Sequence, residues 1–140
     1  VIAKNFTRIF SSLSTKGEAF LELEDKQNPL SGGIDIKVRI LGNKFLDIKS
    51  LSGGEKTMAA TAFIFAIQEH QPGSFYILDE VDAALDKRNS ELLSKLISKY
   101  SQKAQYILIS HNDAVISEAE RIYGVSMQQT GMSKVISLKI

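Results

Sequence analysis

Phe75-Tyr76-Ile77-Leu78-Asp79-Glu80-Val81-Asp82-Ala83-Ala84-Leu85-Asp86 is the stretch on which the fold turns. Phe75 to Leu78 is a continuous apolar run, the pattern expected of a strand buried on both faces. It delivers two carboxylates, Asp79 and Glu80, at its C-terminal end, where open α/β sheets bind ligands. Adjacent residues on an extended strand point to opposite sides, so the two acids cannot do the same job. One can face a magnesium ion, directly or through water, while the other addresses a nucleophilic water. Strand ends are commonly polar, but two acids after so apolar a run, followed by Asp82 and Asp86, favour the chemical reading.

Working towards the C-terminus, Asp86 starts a helix, so its default role is N-cap. With Asp82 it is also a candidate to line a subunit contact beside a nucleotide. The helix runs over 87–100 with Leu92, Leu93, Leu96 and Ile97 inward and Lys87, Arg88, Lys95 and Lys99 on its solvated face. Tyr106 to Ile109 is a second apolar strand, so His111 should emerge on the same sheet edge as Asp79. A lone histidine is more often structural than functional; this position suits hydrogen bonding to a terminal phosphate, as the neutral or the charged ring. Asn112 or Asp113 caps a short helix over 114–119. Residues 122–127 and 134–140 form a closing strand pair around Gly131, with Met127 and Met132 as its packing. Strand, helix, strand, helix indicates a parallel α/β core.

Working towards the N-terminus, Leu51-Ser52-Gly53-Gly54-Glu55 opens an uninterrupted helix over 55–68. Two glycines let backbone approach a ligand, and a helix start offers free N–H groups and a positive dipole end. The competing reading is an ordinary helix entry with Ser52 as N-cap. Ser31-Gly32-Gly33 serves as an internal control and is expected to be a plain turn. It lies between two strands of alternating pattern, Ala19 to Leu23 and Ile34 to Ile40, the first interrupted by Phe20. A third short strand over 44–50 follows the Leu41-Gly42-Asn43 turn, completing an antiparallel meander with one wet face. Lys37, Arg39, Lys44 and Lys49 belong on that face. The chain opens on a helical pattern, Ile2, Phe6, Ile9, Phe10 and Leu13, ended by Thr15 to Gly17, and is expected to be the last turns of a longer helix.

The composition is that of an ordinary soluble globular domain of 140 residues, 44% hydrophobic and 24% charged, with a net charge of +1. That charge makes no strong case for nucleic acid or an anionic membrane. Absence of cysteine excludes disulfides and thiolate metal sites and is compatible with a reducing cytosol. No apolar run approaches a membrane span, and no signal peptide is visible at the start.

In order, LSGGE, an apolar helix, FYILDEVDAALD and ILISH resemble the C-terminal half of an ABC-type ATPase head, specifically of the SMC family of chromosome-organising ATPases. NPLSGGIDIKV and YGVSMQQTGMSKVISLKI extend the resemblance over nearly the whole chain. Glu55, where transporter ATPases carry Gln, and the lack of an Arg-rich pattern after it favour SMC over a transporter. Leu41-Gly42-Asn43 departs from the Pro-Gly-rich basic turn of the family, which leaves the subfamily open, DNA-repair coiled-coil relatives included.

The resemblance implies one domain over 1–140: the end of a coiled-coil helix (1–13), the meander (17–50) and an α/β core (51–140). It implies that Asp79 helps hold magnesium, that Glu80 polarises the attacking water and that His111 senses the γ-phosphate of ATP. Ser52, Gly53, Gly54 and Glu55 form the signature loop that grips the other head's ATP, and Ala83 to Asp86 form the D-loop. No GxxxxGK[ST] occurs in these residues. The P-loop is then expected from the N-terminal half of the same head, and the lone lobe is expected to be inactive. The implied partners are that half, a second head, a kleisin subunit docked on 122–140, and DNA for the whole complex, in a cytoplasmic, nucleoid-associated setting without a membrane. Docking of a kleisin without activity of its own is the alternative role.

Overall fold

The computed structural model describes residues 1–14, 16–40 and 42–139. The readings that include Thr15, Leu41 and Ile140 therefore lie partly outside the described residues. The first helix, α1 (Ile2–Leu13), buries Phe6, Ile9, Phe10 and Leu13, the stripe its spacing predicts. That helix packs on the long helix α2 (Gly53–His70) and on the first strand.

β1 (Glu18–Leu23), β2 (Ile34–Arg39) and β3 (Leu46–Asp47) form an antiparallel sheet in that order. Ala19 opposes Val38, and both are buried. The other face is wet, as expected, and its charges are paired. Arg39 donates to Glu18 at 2.6 Å, and Lys37 bridges Asp35 and Asp47. Phe20 breaks the alternation because it has a partner on that face. Its ring meets Phe45 edge-on with centroids 4.9 Å apart, and the Arg39 guanidinium lies 4.8 Å over Phe45. The third strand is shorter than expected. Only Leu46 and Asp47 pair with β2, after which Ile48–Ser50 winds into a 3-10 turn that packs Ile48 towards the core. The Ser31-Gly32-Gly33 segment is the turn anticipated, its Gly33 N–H donating to the Glu24 carboxylate at 2.7 Å.

α2 (Gly53–His70) runs through the middle and buries Met58, Ala59, Ala62, Phe65 and Ala66. Phe65 stacks parallel to Tyr106 at 5.8 Å and meets Tyr100 edge-on at 4.9 Å. β4 (Phe75–Asp79), α3 (Lys87–Ser101) and β5 (Gln105–Ile109) form a βαβ unit whose strands pair in parallel, Phe75 with Gln105 through Asp79 with Ile109. Leu93, Leu96, Ile97 and Tyr100 line the inner face of α3, while Lys87, Arg88, Lys95 and Lys99 are exposed as expected.

Other expectations fail. β4 is not buried on both faces: Leu78 is covered, but Phe75 is 58% and Ile77 59% exposed. Ile107 and Ile109 are exposed beside them. The cause is the sheet itself, which has two strands here and, among the described residues, one covered face, that of Tyr76, Leu78, Tyr106 and Leu108. The closing pair, β6 (Arg121–Met127) and β7 (Ser133–Lys139), does form an antiparallel hairpin, turned at Gly131 with φ +80°. Met127 and Met132 do not pack in it, because beyond the half-buried Ile122 the hairpin is exposed on both faces among the described residues. Before it, α4 (Asp113–Ile116) is a single turn, shorter than the 114–119 expected, with Val115 buried.

Candidate functional site

The parallel ladder ends at Asp79, which is exposed on the open face with Phe75 and Ile77. At Glu80 the backbone leaves the strand in the left-handed region, φ 47°. A non-glycine residue pays about 1–2 kcal/mol there unless its surroundings hold it. Here two hydrogen bonds do so: the Glu80 N–H donates to Ile109 O at 2.8 Å, and its carbonyl accepts from Ala83 N–H at 3.1 Å. Strand alternation therefore places Asp79 on the open face, opposite Leu78, but a backbone turn, not alternation, aims Glu80. The carboxylate lies 3.5 Å (Oε1) from Nε2 of His111, at the end of β5. Both side chains are largely open to solvent, so the contact is worth little as a stabilising ion pair.

From Glu80 two turns lead to α3, the second closed by Leu85 N–H on Asp82 O at 3.0 Å. Asp86 is the N-cap expected, its Oδ1 accepting from Asn89 N–H at 2.8 Å. Asp82 does not line a surface contact beside it. Its residue is only 5% exposed, and its carboxylate accepts from the Ser110 hydroxyl at 2.7 Å. The compact turn rotates Asp82 inward towards β5, which sequence spacing alone does not reveal.

The loop before α2 is a capping box. Ser52 Oγ accepts from Glu55 N–H at 3.4 Å, and Glu55 Oε2 accepts from Ser52 N–H at 2.8 Å. The ordinary helix-entry reading is thus correct in geometry, and it leaves the Ser52 O–H available as a donor. The glycines differ. A Cβ on Gly53 would meet nothing within 4 Å, whereas one on Gly54 would stand 3.0 Å from Ala84 O. The Leu51–Glu55 loop therefore lies against the 80–86 loop, which in turn carries Glu80 towards His111. Among the described residues no group of three or more His, Cys, Asp or Glu side chains could hold a metal. Asp79 offers one carboxylate, a set that suits magnesium only when phosphate oxygens complete the shell.

Sequence reasoning named Asn112 as a candidate cap, which it is, but missed its link to Ser110 and Ser90. Ser110 Oγ accepts from Asn112 N–H at 2.9 Å, Asn112 Nδ2 donates to Ser90 Oγ at 3.0 Å, and Asn112 Oδ1 caps α4 through Ala114 N–H at 3.0 Å. The one available signal was Ser110, a polar residue interposed between an apolar strand and a histidine.

The family model described as "RecF/RecN/SMC N terminal domain" matches residues 2–134. The chain belongs to the SMC family. It is 43% identical over 139 residues to the chromosome partition protein Smc of Methanocaldococcus jannaschii, covering 99% of this chain and 12% of that protein. It thus spans about an eighth of that Smc protein's length. The crystal structure of the Pyrococcus furiosus Smc head domain, with an extended coiled coil and bound to the C-terminal domain of ScpA, superposes with a TM-score of 0.92 at 43% identity, over 99% of this chain and 34% of that one. A second structure, from work on ATP-driven dimerization and DNA stimulated activation of SMC ATPases, has a TM-score of 0.88 at 43% identity, over 99% of this chain and 83% of the other. The α/β architecture is accordingly that of SMC ABC-type heads. No helix among the described residues of this SMC chain is long and apolar enough to cross a membrane.

Proposed function

We propose that this chain is the C-terminal lobe of an SMC ATPase head, one domain over 1–140, which binds and hydrolyses ATP with a P-loop half and a second head to drive chromosome organisation. The observation that carries the reading is the approach of Glu80 to His111 at the shared end of two parallel strands. Asp79 supplies one oxygen towards magnesium, directly or through water. Glu80 takes up the proton side of the attacking water, and His111 hydrogen-bonds the terminal phosphate. Ser52 and the glycines after it serve the other head's nucleotide. The free Ser52 hydroxyl and the open space over Gly53 suit that task, Glu55 fixes the loop through the capping box, and Asp86 fixes the D-loop to α3.

The missing phosphate cradle has a natural place. The exposed apolar face of Phe75, Ile77, Ile107 and Ile109 invites the P-loop half to cover it, and α1 suits the root of a coiled-coil arm. Covering about half of four large side chains is worth several kcal/mol at about 25 cal/mol per Å2. ATP and magnesium are the ligands of the completed head, the lone lobe is inactive, and the protein acts in the cytoplasm on the chromosome, with DNA engaged by the whole complex.

The test is Glu80→Gln in the completed head. Turnover should fall by about a hundredfold or more while ATP-dependent head dimers accumulate. Mutant and wild type turning over equally would sink the assignment.

A second role is favoured by a separate observation. The hairpin of β6 and β7 is exposed on both faces. In the Pyrococcus furiosus structure the Smc head is bound to the C-terminal domain of ScpA. Docking of a kleisin subunit of that kind on 122–140 is compatible with ATPase activity rather than an alternative to it.

A further inference from the structure

The loop after the strand and the end of the neighbouring strand are fastened at two points. One is the backbone bond from Glu80 N–H to Ile109 O at 2.8 Å. The other is the Ser110 hydroxyl, which donates to Asp82 at 2.7 Å. Between these points the chain holds a strained φ at Glu80 and presents Glu80 and His111 to each other at 3.5 Å. Asp82 itself is 5% exposed and lies away from that solvent-facing pair. A buried carboxylate is costly to desolvate. A hydrophobic residue in its place would serve packing better. Its one side-chain contact among those found is with Ser110, which also accepts from Asn112 N–H at 2.9 Å. Asn112 in turn reaches Ser90 on α3, a residue with no exposure. The same 80–86 loop presents Ala84 O to Gly54 of the signature segment.

We infer that Asp82 is a positioning residue that, through Ser110, locks the strand ends so that Glu80 and His111 stay in register and the signature loop moves with them. The inference rests on the role proposed above for Glu80. Its physical content is that the left-handed turn at Glu80 is held from outside. Without the Asp82–Ser110 bond, the remaining backbone bond to Ile109 must hold the turn alone. A displacement of about 1 Å at a reacting group can cost on the order of a hundredfold in rate. Binding of nucleotide, which rests mainly on the phosphate cradle of the P-loop half, should change far less than the rate.

The experiment uses the head assembled from this chain and its P-loop half, with Asp82→Ala, Asp82→Asn, Ser110→Ala and Ser110→Thr made separately, and Glu80→Gln as the reference. Asp82→Ala and Ser110→Ala should each lower kcat for ATP by about ten- to a hundredfold, with KM changed less than about threefold. Asp82→Asn, which keeps an acceptor, and Ser110→Thr, which keeps the hydroxyl, should retain most of the rate. Hydrogen exchange without nucleotide gives an independent readout. The Glu80 amide should exchange at least tenfold faster in the two alanine variants, while Leu78 in the strand stays protected. If either alanine variant fails to fold, Asp82→Asn and Ser110→Thr are compared with Asp82→Leu, which fills the site without an acceptor, and exchange at Glu80 should again separate them. Wild-type kcat and unchanged Glu80 exchange in the alanine variants, alongside an inactive Glu80→Gln, overturn the positioning role. Full turnover by Glu80→Gln, with Glu80 exchange still accelerated by Asp82→Ala, overturns the proposed chemistry and leaves the lock in place.

Discussion

Two neighbouring glycines behave oppositely although their sequence context is nearly the same. Gly53 is open to solvent, and an added methyl meets nothing. Gly54 is pressed against the carbonyl of Ala84, a backbone atom that cannot rotate away. Gly53→Ala should leave stability within about 1 kcal/mol of wild type, on the stabilising side, since alanine is the better helix former. Gly54→Ala gains the same propensity but must push the 80–86 loop, and a net loss of about 1–3 kcal/mol is expected. Thermal melts of the two variants decide it, and equal melting points would show that the loop yields freely. Glu80 is the other telling residue. Its type and position were evident from the run before it, but its left-handed backbone was not, because φ there is imposed by Ile109 and Ala83 rather than by local preference.

At the level of elements, α1, α3 and the β1–β2 pair were legible because each carries a periodic apolar pattern that its partners satisfy, and α2 because no breaker interrupts its apolar-rich run after Gly54. Ser52 and Glu55 also announce their capping box directly in the chain. What the pattern could not convey was how many layers are present. An apolar run such as Phe75 to Leu78 suits a strand covered on both faces, without saying how many covers the lobe itself supplies. The same holds for β6 and β7, whose apolar residues Val125, Val135 and Ile136 all remain exposed. Because this hairpin contributes almost nothing to the core, Val125→Asp combined with Ile136→Asp, one on each face, should leave the melting point within about 4 °C. The same pair should weaken capture of a ScpA-type C-terminal domain at least tenfold, about 1.4 kcal/mol. Undiminished capture in a pull-down or calorimetric titration would remove the hairpin from the docking surface.

The molecule as a whole rests on an aromatic centre that joins its parts. Tyr106 is pushed well above the ordinary phenol range, first by burial and then by the nearby Tyr76 and Tyr100, and its hydroxyl donates to the buried Gln68 at 2.7 Å. Tyr100 is also raised, by burial and by its bond to Glu69, which Arg8 of α1 pairs in turn. Folded-state values above the unfolded ones mean that the stabilisation is complete below about pH 10, where even the unfolded phenols are neutral. It is lost as pH rises through the folded-state values. Denaturation midpoints followed against tyrosinate absorbance should therefore fall steeply above about pH 10. Tyr106→Phe should blunt that fall while costing about 1 kcal/mol at neutral pH through the unpaired Gln68. An alkaline limb identical to wild type would mean that another group governs it.

The uncovered face of the two parallel strands has a consequence for the life of the protein in a cell. Phe75, Ile77, Ile107 and Ile109 form the kind of apolar surface that chaperones retain and proteases sample in incompletely folded chains. A lobe with this face bare shares that feature with a partly folded chain for as long as nothing covers it. Left bare, such a face raises the tendency of the lobe to associate with other apolar surfaces as its concentration rises.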